Sequence, residues 1–262
     1  MTTIFGISIS SESLENIKKI IELFLYSNQF QQIITVNPEM LLVARQKKTF
    51  ADIIVSANLR LADGVGIVWA ANMLRQEPVV RITGNDLIEQ LCTIAHKNKY
   101  KVYLMGGTGN QAERSATVLA NKFPGLSIRA NTGGAIKQPP SLRDGIRSKN
   151  KGWIMDTFVI QDIQAFAPEI LFVALGHEKQ EQWIHDFASD FPSVRVAVGV
   201  GGAFAFLSGQ IPRAPIWMRQ IGFEWLWRLI QEPRRAGRIF KAVIVFPFLV
   251  ILDRIRQYVR IL

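Results

Sequence analysis

Short apolar runs alternate along the chain with longer stretches in which apolar residues recur every three to four positions. The runs are QIITVN (32–37), DIIVSA (52–57), KVYLMG (101–106), LSIRAN (126–131), EILFVALG (169–176) and VRVAVGVGG (194–202). Several are apolar throughout, the pattern of strands covered on both faces of a parallel sheet. Between them NPEMLLVARQ, GNDLIEQLCTIAHKN, NQAERSATVLANKF and EKQEQWIHDFAS carry helical periodicity. The alternation predicts an α/β fold with a Rossmann-like, mostly parallel sheet and flanking helices. No internal repeat is visible. The stretch GGAIKQPPSLRDGIRSKNKGWIMD (133–156), with paired prolines and scattered charge, predicts a long loop or insertion.

The pattern changes after residue 210. QEPRRAGRIFKAVIVFPF (231–248) runs a cluster of arginines into an almost unbroken apolar stretch. A helix restarting at Pro233 puts Arg234, Arg238 and Lys241 at i, i+4 and i+7, one basic stripe. The apolar run AVIVFPFLVIL (242–252) falls short of the roughly twenty residues a membrane span needs. Basic and apolar faces side by side suit a helix lying in an anionic membrane surface; a helix docked on the core is the plainer reading of the same pattern. The division expected is therefore an α/β domain over 1–210 and a basic, apolar helical appendage over 211–262.

Composition sharpens this picture. At 262 residues, 48% hydrophobic and 20% charged, the chain is globular rather than disordered. One cysteine, Cys92, excludes an internal disulfide and suits a reducing compartment. The opening MTTIFGISISSESLENIKKI lacks a basic segment followed by an apolar one and does not read as a secretory signal. Net charge is +10, and residues 211–262 hold ten Lys/Arg against Glu224, Glu232 and Asp253, a net +7. A nearly neutral body with a basic tail points to an anionic partner.

In open α/β sheets ligands sit beyond the carboxyl ends of the strands. Four turns fall there. GGTGN (106–110) follows a strand and opens a helix, so Gly106, Gly107 and Gly109 can bring backbone N–H groups close to a phosphate; a tight βα turn is the alternative. ADGVG (62–66) sets Asp63 in a glycine-flanked turn, as a general base or as a turn-stabilising carboxylate. In TVNPE (35–39), Thr35 and Asn37 offer neutral hydrogen bonds, while Asn37-Pro38 also makes an ordinary helix start. In GHEKQEQWIH, His177, Glu181 and His185 share roughly one helix face, yet the zinc pattern HExxH needs histidine where Glu181 stands. Lys179 and Gln180 are instead placed to grip a phosphate or sugar.

The order of these signals is more specific than any one of them. TVNPEMLLVAR, ADGVGIVWAA, ITGNDLIEQL, YLMGGTGNQAERSA, PEILFVALGHEKQEQWI and GVGGAFAFLSGQIPRAPIWMRQIGFEWLWRLIQEPRR together resemble the WecG/TagA/CpsF family of bacterial glycosyltransferases. The most specific block runs from Gly199 to Arg235. The resemblance implies transfer of a sugar, typically N-acetylmannosamine or its uronic acid, from a UDP-sugar to a polyprenyl-diphosphate-linked sugar. That chemistry takes place at the cytoplasmic face of the membrane, by an inverting single displacement without metal or other cofactor. It implies Asp63 as the base, Thr35 and Asn37 at the active-site strand end, and Gln180 within the KQE motif. Without a metal, cations must stabilise the leaving diphosphate, and Arg213, Arg228, Arg234, Arg235 and Arg238 are the candidates.

Ala205 stands where family members commonly carry an acidic residue, and Glu178 where proline is usual; altered donor specificity is the expected consequence. Two other classes share some of the pattern. A nucleic-acid-binding protein would explain the basic charge, but no nucleic-acid motif is present and no nucleic-acid partner is expected. A nucleotide-binding oxidoreductase would explain GGTG, but the full fingerprint is missing. Homo-oligomerisation is left open.

Overall fold

The computed structural model describes residues 1–133, 153 and 157–259. Apart from Gly133 and Trp153, the loop expected at 133–156 lies outside the described residues. The chain forms two compact units, Met1–Ile17, Ile34–Thr83 and Ile211–Leu262 in one, Lys18–Ile33 and Gly84–Gln210 in the other.

The first unit opens with a hairpin of β1 (Thr2–Ile4) and β2 (Ile7–Ile9), paired Thr2↔Ile9 and Ile4↔Ile7. Phe5 and Gly6 both take positive φ, the two-residue turn that matches strand twist. Strand β3 (Gln31–Val36) gives its last three residues to this unit, where β4 (Leu59–Ala62) lies beside it. Three helices follow these strands, Pro38–Gln46, Lys48–Ser56 and Val65–Met73.

The second of these corrects the sequence reading, since DIIVSA (52–57) is not a strand. Phe50, Ile54 and Ala57 are buried while Asp52, Val55 and Ser56 are exposed, so burial follows helical and not alternating spacing. The β-branched composition gives way to packing.

The carboxyl-terminal residues are part of the first unit's core. Short helices at Ile216–Gln220 and Glu224–Gln231 lead to a 3₁₀ turn at Pro233–Arg235. Helical backbone then continues through Ala236–Phe240, a π turn at Lys241–Val245 and Phe246–Val259. Phe246 and Val250 are fully buried with Ile4, Val36, Met40 and Ile67. The Phe246 ring meets Phe5 edge-on at 5.8 Å. Gly66 permits this, because a Cβ there would stand 2.8 Å from Pro38 Cγ and 3.9 Å from the Phe246 ring. The opposite side carries a continuous exposed stripe of Arg234, Arg238, Lys241, Ile244, Phe248, Ile251 and Ile255, basic first and apolar after. Among the described residues no helix is long and apolar enough to cross a membrane.

The second unit contains the first half of β3 with β5 (Val102–Gly106), β6 (Ile128–Asn131), β7 (Ile170–Ala174) and β8 (Val196–Gly199), in the order β3-β8-β7-β5-β6. The pairs among β5 to β8 are parallel, with Val102 opposite both Ile128 and Ile170, and Ile170 opposite Val196. Every residue of β5, β7 and β8 is buried, which is why these strands read as unbroken apolar runs. Helices Gly84–Asn98, Gln111–Lys122, Thr157–Phe166 and Lys179–Phe187 connect or flank them. An aromatic group of Trp183, Phe187 and Phe191 packs with Tyr103 and Trp153.

Because Phe246 is fully buried, Phe246→Ala is expected to destabilise the protein by about 3–5 kcal/mol in denaturant unfolding. Phe248→Ala, at a position 58% exposed, is expected to cost under about 1 kcal/mol.

Candidate active site

In the first unit, β3 and β4 end together. The Asp63 backbone N donates to Val36 O at 2.8 Å, which aligns Asp63 with Asn37. Gly64 turns the chain at φ +88 and opens helix Val65–Met73. Asn37 caps helix Pro38–Gln46, its Oδ1 accepting from Met40 N at 3.0 Å, with Pro38 in the first turn. Thr35 is buried on β3. Thr35, Asn37 and Asp63 thus come to one pair of strand ends, and Asn37 also does the ordinary work of a cap.

Carboxylates pair with the arginines of the carboxyl-terminal segment, and two ion pairs, Arg238–Glu39 and Arg81–Glu224, tie that segment to the rest of the unit. Arg238 Nε contacts Glu39 Oε2 at 2.7 Å, in the first turn of the helix that Asn37 caps. Glu232 serves two guanidinia, Arg228 at 3.0 Å and Arg235 at 2.8 Å. Glu224 likewise serves Arg213 at 3.5 Å and Arg81 at 3.6 Å. Burial, then the nearby Arg235, depress the Arg228 pKa, against the hydrogen bond and charge of Glu232. Arg234 stays exposed on the outer stripe.

Within the second unit the glycine turn has a clear backbone reason. Gly106, Gly107 and Gly109 all have positive φ, and a Cβ on Gly106 would stand 2.6 Å from Ala174 O. Gly107 N donates to Ala174 O at 2.8 Å and Thr108 N to Gln111 Oε1 at 3.0 Å. Two amides of the turn are therefore committed within the protein. Lys179 is exposed at the start of its helix, whereas Gln180 is buried. Gln180 Oε1 accepts from Gly201 N at 2.9 Å and its Nε2 donates to Glu181 Oε1 at 2.7 Å. The KQE motif thereby buttresses the loop after β8, where a Cβ on Gly199 would stand 2.6 Å from Gln180 Nε2. Glu178 precedes the helix at φ +72, a conformation closed to proline, whose ring holds φ near about −65°. His177 lies before the helix, and among the described residues no group of three or more His, Cys, Asp or Glu is placed to hold a metal ion.

A family model described as "Glycosyl transferase WecG/TagA/CpsF family" matches residues 2–260. The chain belongs to this family of glycosyltransferases. One relative from Staphylococcus aureus (strain MRSA252) is 32% identical over 237 residues, 90% of this chain and 85% of its own length. One from Bacillus subtilis (strain 168) is 30% identical over 207 residues, 79% of this chain and 74% of its own. Both are named N-acetylglucosaminyldiphosphoundecaprenol N-acetyl-beta-D-mannosaminyltransferase.

Two basic residues of this WecG/TagA/CpsF glycosyltransferase escaped the sequence reading. Arg81 lies beside Ala62 through an isolated parallel bridge, one residue from Asp63, and its Nη1 donates to Arg219 O at 3.2 Å. Arg81 precedes the quoted ITGND motif, but nothing in a linear sequence announces its pairing with residues 219 and 224.

The Glu181 carboxyl, fully buried in the KQE helix, has Oε2 without a hydrogen-bond partner. Burial pushes its pKa up from the ordinary 4.5 to about 7, opposed by the Gln180 hydrogen bond. The folded state therefore holds this proton more tightly than the unfolded chain. The contribution is complete below about pH 4.5 and is lost as pH rises through about 7. Glu181→Gln keeps the shape and does not titrate. Its stability relative to wild type is expected to rise by about 2–3 kcal/mol between those limits, measured by denaturation across pH. A difference that does not change with pH would assign the titration elsewhere.

Proposed function

We propose that the protein transfers N-acetylmannosamine, its uronic acid or a related hexose from a UDP-sugar to a sugar carried on polyprenyl diphosphate, with inversion. The names of the two relatives favour N-acetylmannosamine and an N-acetylglucosamine-bearing acceptor. The observation that supports the chemistry best is Asp63 at the strand end shared with Asn37, in the unit that also holds the arginine-rich segment. The Asp63 carboxylate takes the proton of the acceptor hydroxyl. That oxygen attacks the anomeric carbon opposite the bond to UDP, and the bond breaks with its electrons passing to the diphosphate. Arg213, Arg228, Arg234, Arg235 and Arg238 are the cations proposed to meet the diphosphate-bearing substrates, and no step is routed through a metal. The donor nucleotide is assigned to the glycine turn at 106–110 with the exposed Lys179 as a further contact. Gln180, expected from the sequence to touch substrate, is buried and bonded to Gly201 and Glu181, so its role is to support the loop after β8.

We place the protein at the inner surface of the cytoplasmic membrane. Support comes from the exposed stripe that begins with Arg234, Arg238 and Lys241 and continues through Ile244, Phe248, Ile251 and Ile255. Cations there meet anionic headgroups while the apolar side chains enter the interface.

Asp63→Asn removes basicity and keeps shape, so turnover on a soluble acceptor is expected to fall by about 10²-fold or more, with UDP binding retained. Near-wild-type turnover would reject Asp63 as the base. Reversing two exposed charges, Arg234→Glu with Lys241→Glu, is expected to weaken co-sedimentation with anionic vesicles by about 10-fold or more at low salt. Unchanged sedimentation would remove the membrane assignment while leaving the chemistry intact.

A further inference from the structure

The helix Val65–Met73, two residues beyond Asp63, is apolar on both sides. Ile67, Ala70 and Ala71 face the core. Val68 and Trp69, which pack against the edge of that core and are only partly buried, line a groove of about 870 Å³ together with the exposed Val65. A helix that is hydrophobic all round calls for an apolar neighbour on each side. The other wall of the groove comes from Ile216–Gln220. Gly222, at φ +83, holds this wall in place, since a Cβ there would stand 2.6 Å from Val65 Cγ1. The Arg81 hydrogen bond to Arg219 O fastens it further.

The groove is apolar along the helix and cationic where Arg81 and Arg219 line it. Glu224 partly balances Arg81. Arg219 Nε is buried with no hydrogen-bond partner, so the guanidinium is incompletely satisfied where Arg219 lines the groove, and an anion would meet its outer nitrogens. An apolar wall beside an unsatisfied guanidinium N–H fits an amphiphile with a phosphate at one end. The polar lining residues are Asn72, Arg81, Arg219 and Gln220, and most of the lining surface is apolar, which suits a hydrocarbon chain better than a nucleobase or a sugar.

Resting on the polyprenyl-diphosphate acceptor proposed above, we infer that this groove takes the first isoprene units of the acceptor's lipid chain. Val68, Trp69 and Ile216 touch the chain, and Arg219 meets the phosphate adjoining it. The volume lies within the range of about 300–1,000 Å³ usual for small-molecule pockets, so it holds the start of a polyprenyl chain and not its whole length. The remainder leaves past Ile216, Trp217 and Ile221, which are 64%, 59% and 57% exposed.

The test uses the full chain and two soluble acceptors with the same sugar diphosphate, one ending in farnesyl and the other in ethyl. Wild type is expected to favour the farnesyl acceptor in kcat/KM by about 10-fold or more. Val68→Trp, which fills the groove, is expected to collapse that ratio. Ile216→Glu, at an exposed position where misfolding is not at issue, is expected to do the same. Calorimetric titration gives a readout independent of catalysis. Farnesyl diphosphate should bind wild type more tightly than inorganic diphosphate, and both substitutions should weaken the farnesyl ligand by about 10-fold. No farnesyl advantage in wild type, or one that survives both substitutions, overturns the assignment. If neither acceptor is glycosylated but farnesyl diphosphate binds and both substitutions weaken it, the groove stands and the transfer reading fails.

Discussion

Helix Val65–Met73 can begin where it does only because residue 66 has no side chain. Any Cβ at that point would press into Pro38 and reach the ring of Phe246. Three elements meet at this spot: the helix after β3, the helix after β4 and the last helix of the chain. Their convergence sets where Asn37 and Asp63 stand, and it brings Arg238 to Glu39 at the same helix start. The requirement is steric, and the polar geometry of the strand ends depends on it.

Electrostatics builds on that frame with more cation than anion. Glu224 and Glu232 each pair with two arginines, which fixes where those guanidinia stand. An arginine already held in place gives up less conformational freedom on binding an anion, which favours the diphosphate contacts proposed above.

The α/β class was legible because three central strands are buried at every position and so read as unbroken apolar runs. DIIVSA misled for the same reason, since a short β-branched run has the same composition in a buried helix as in a strand. Including Phe50 exposes the helical spacing to Ile54 and Ala57. The three-residue strands β1 and β2 and the four-residue β4, with Arg60 inside it, were too short to stand out. Asp63 and Asn37 could be placed because turn chemistry is local. Arg81 and Arg219 could not, because their meeting depends on chain separated by well over a hundred residues. Nor does the run AVIVFPFLVIL say which of its side chains are covered; Phe246 and Val250 differ from Ile244 and Phe248 only in which side of the helix they occupy.

The first unit draws its core from both ends of the chain. Ile4 and Val250 belong to one buried cluster, while the second unit is assembled mostly from the single span Gly84–Gln210. During synthesis the second unit has nearly all of its residues before the last helix exists. The first must wait, its hairpin and early helices exposing the apolar surface that Phe246 will later cover. Loop closure over such a separation is slow compared with local pairing. The nascent protein therefore passes through a period in which the strand ends bearing Asn37 and Asp63 are made but not yet set, and chaperone demand should concentrate there. Competence arrives late, with the residues nearest the carboxyl end.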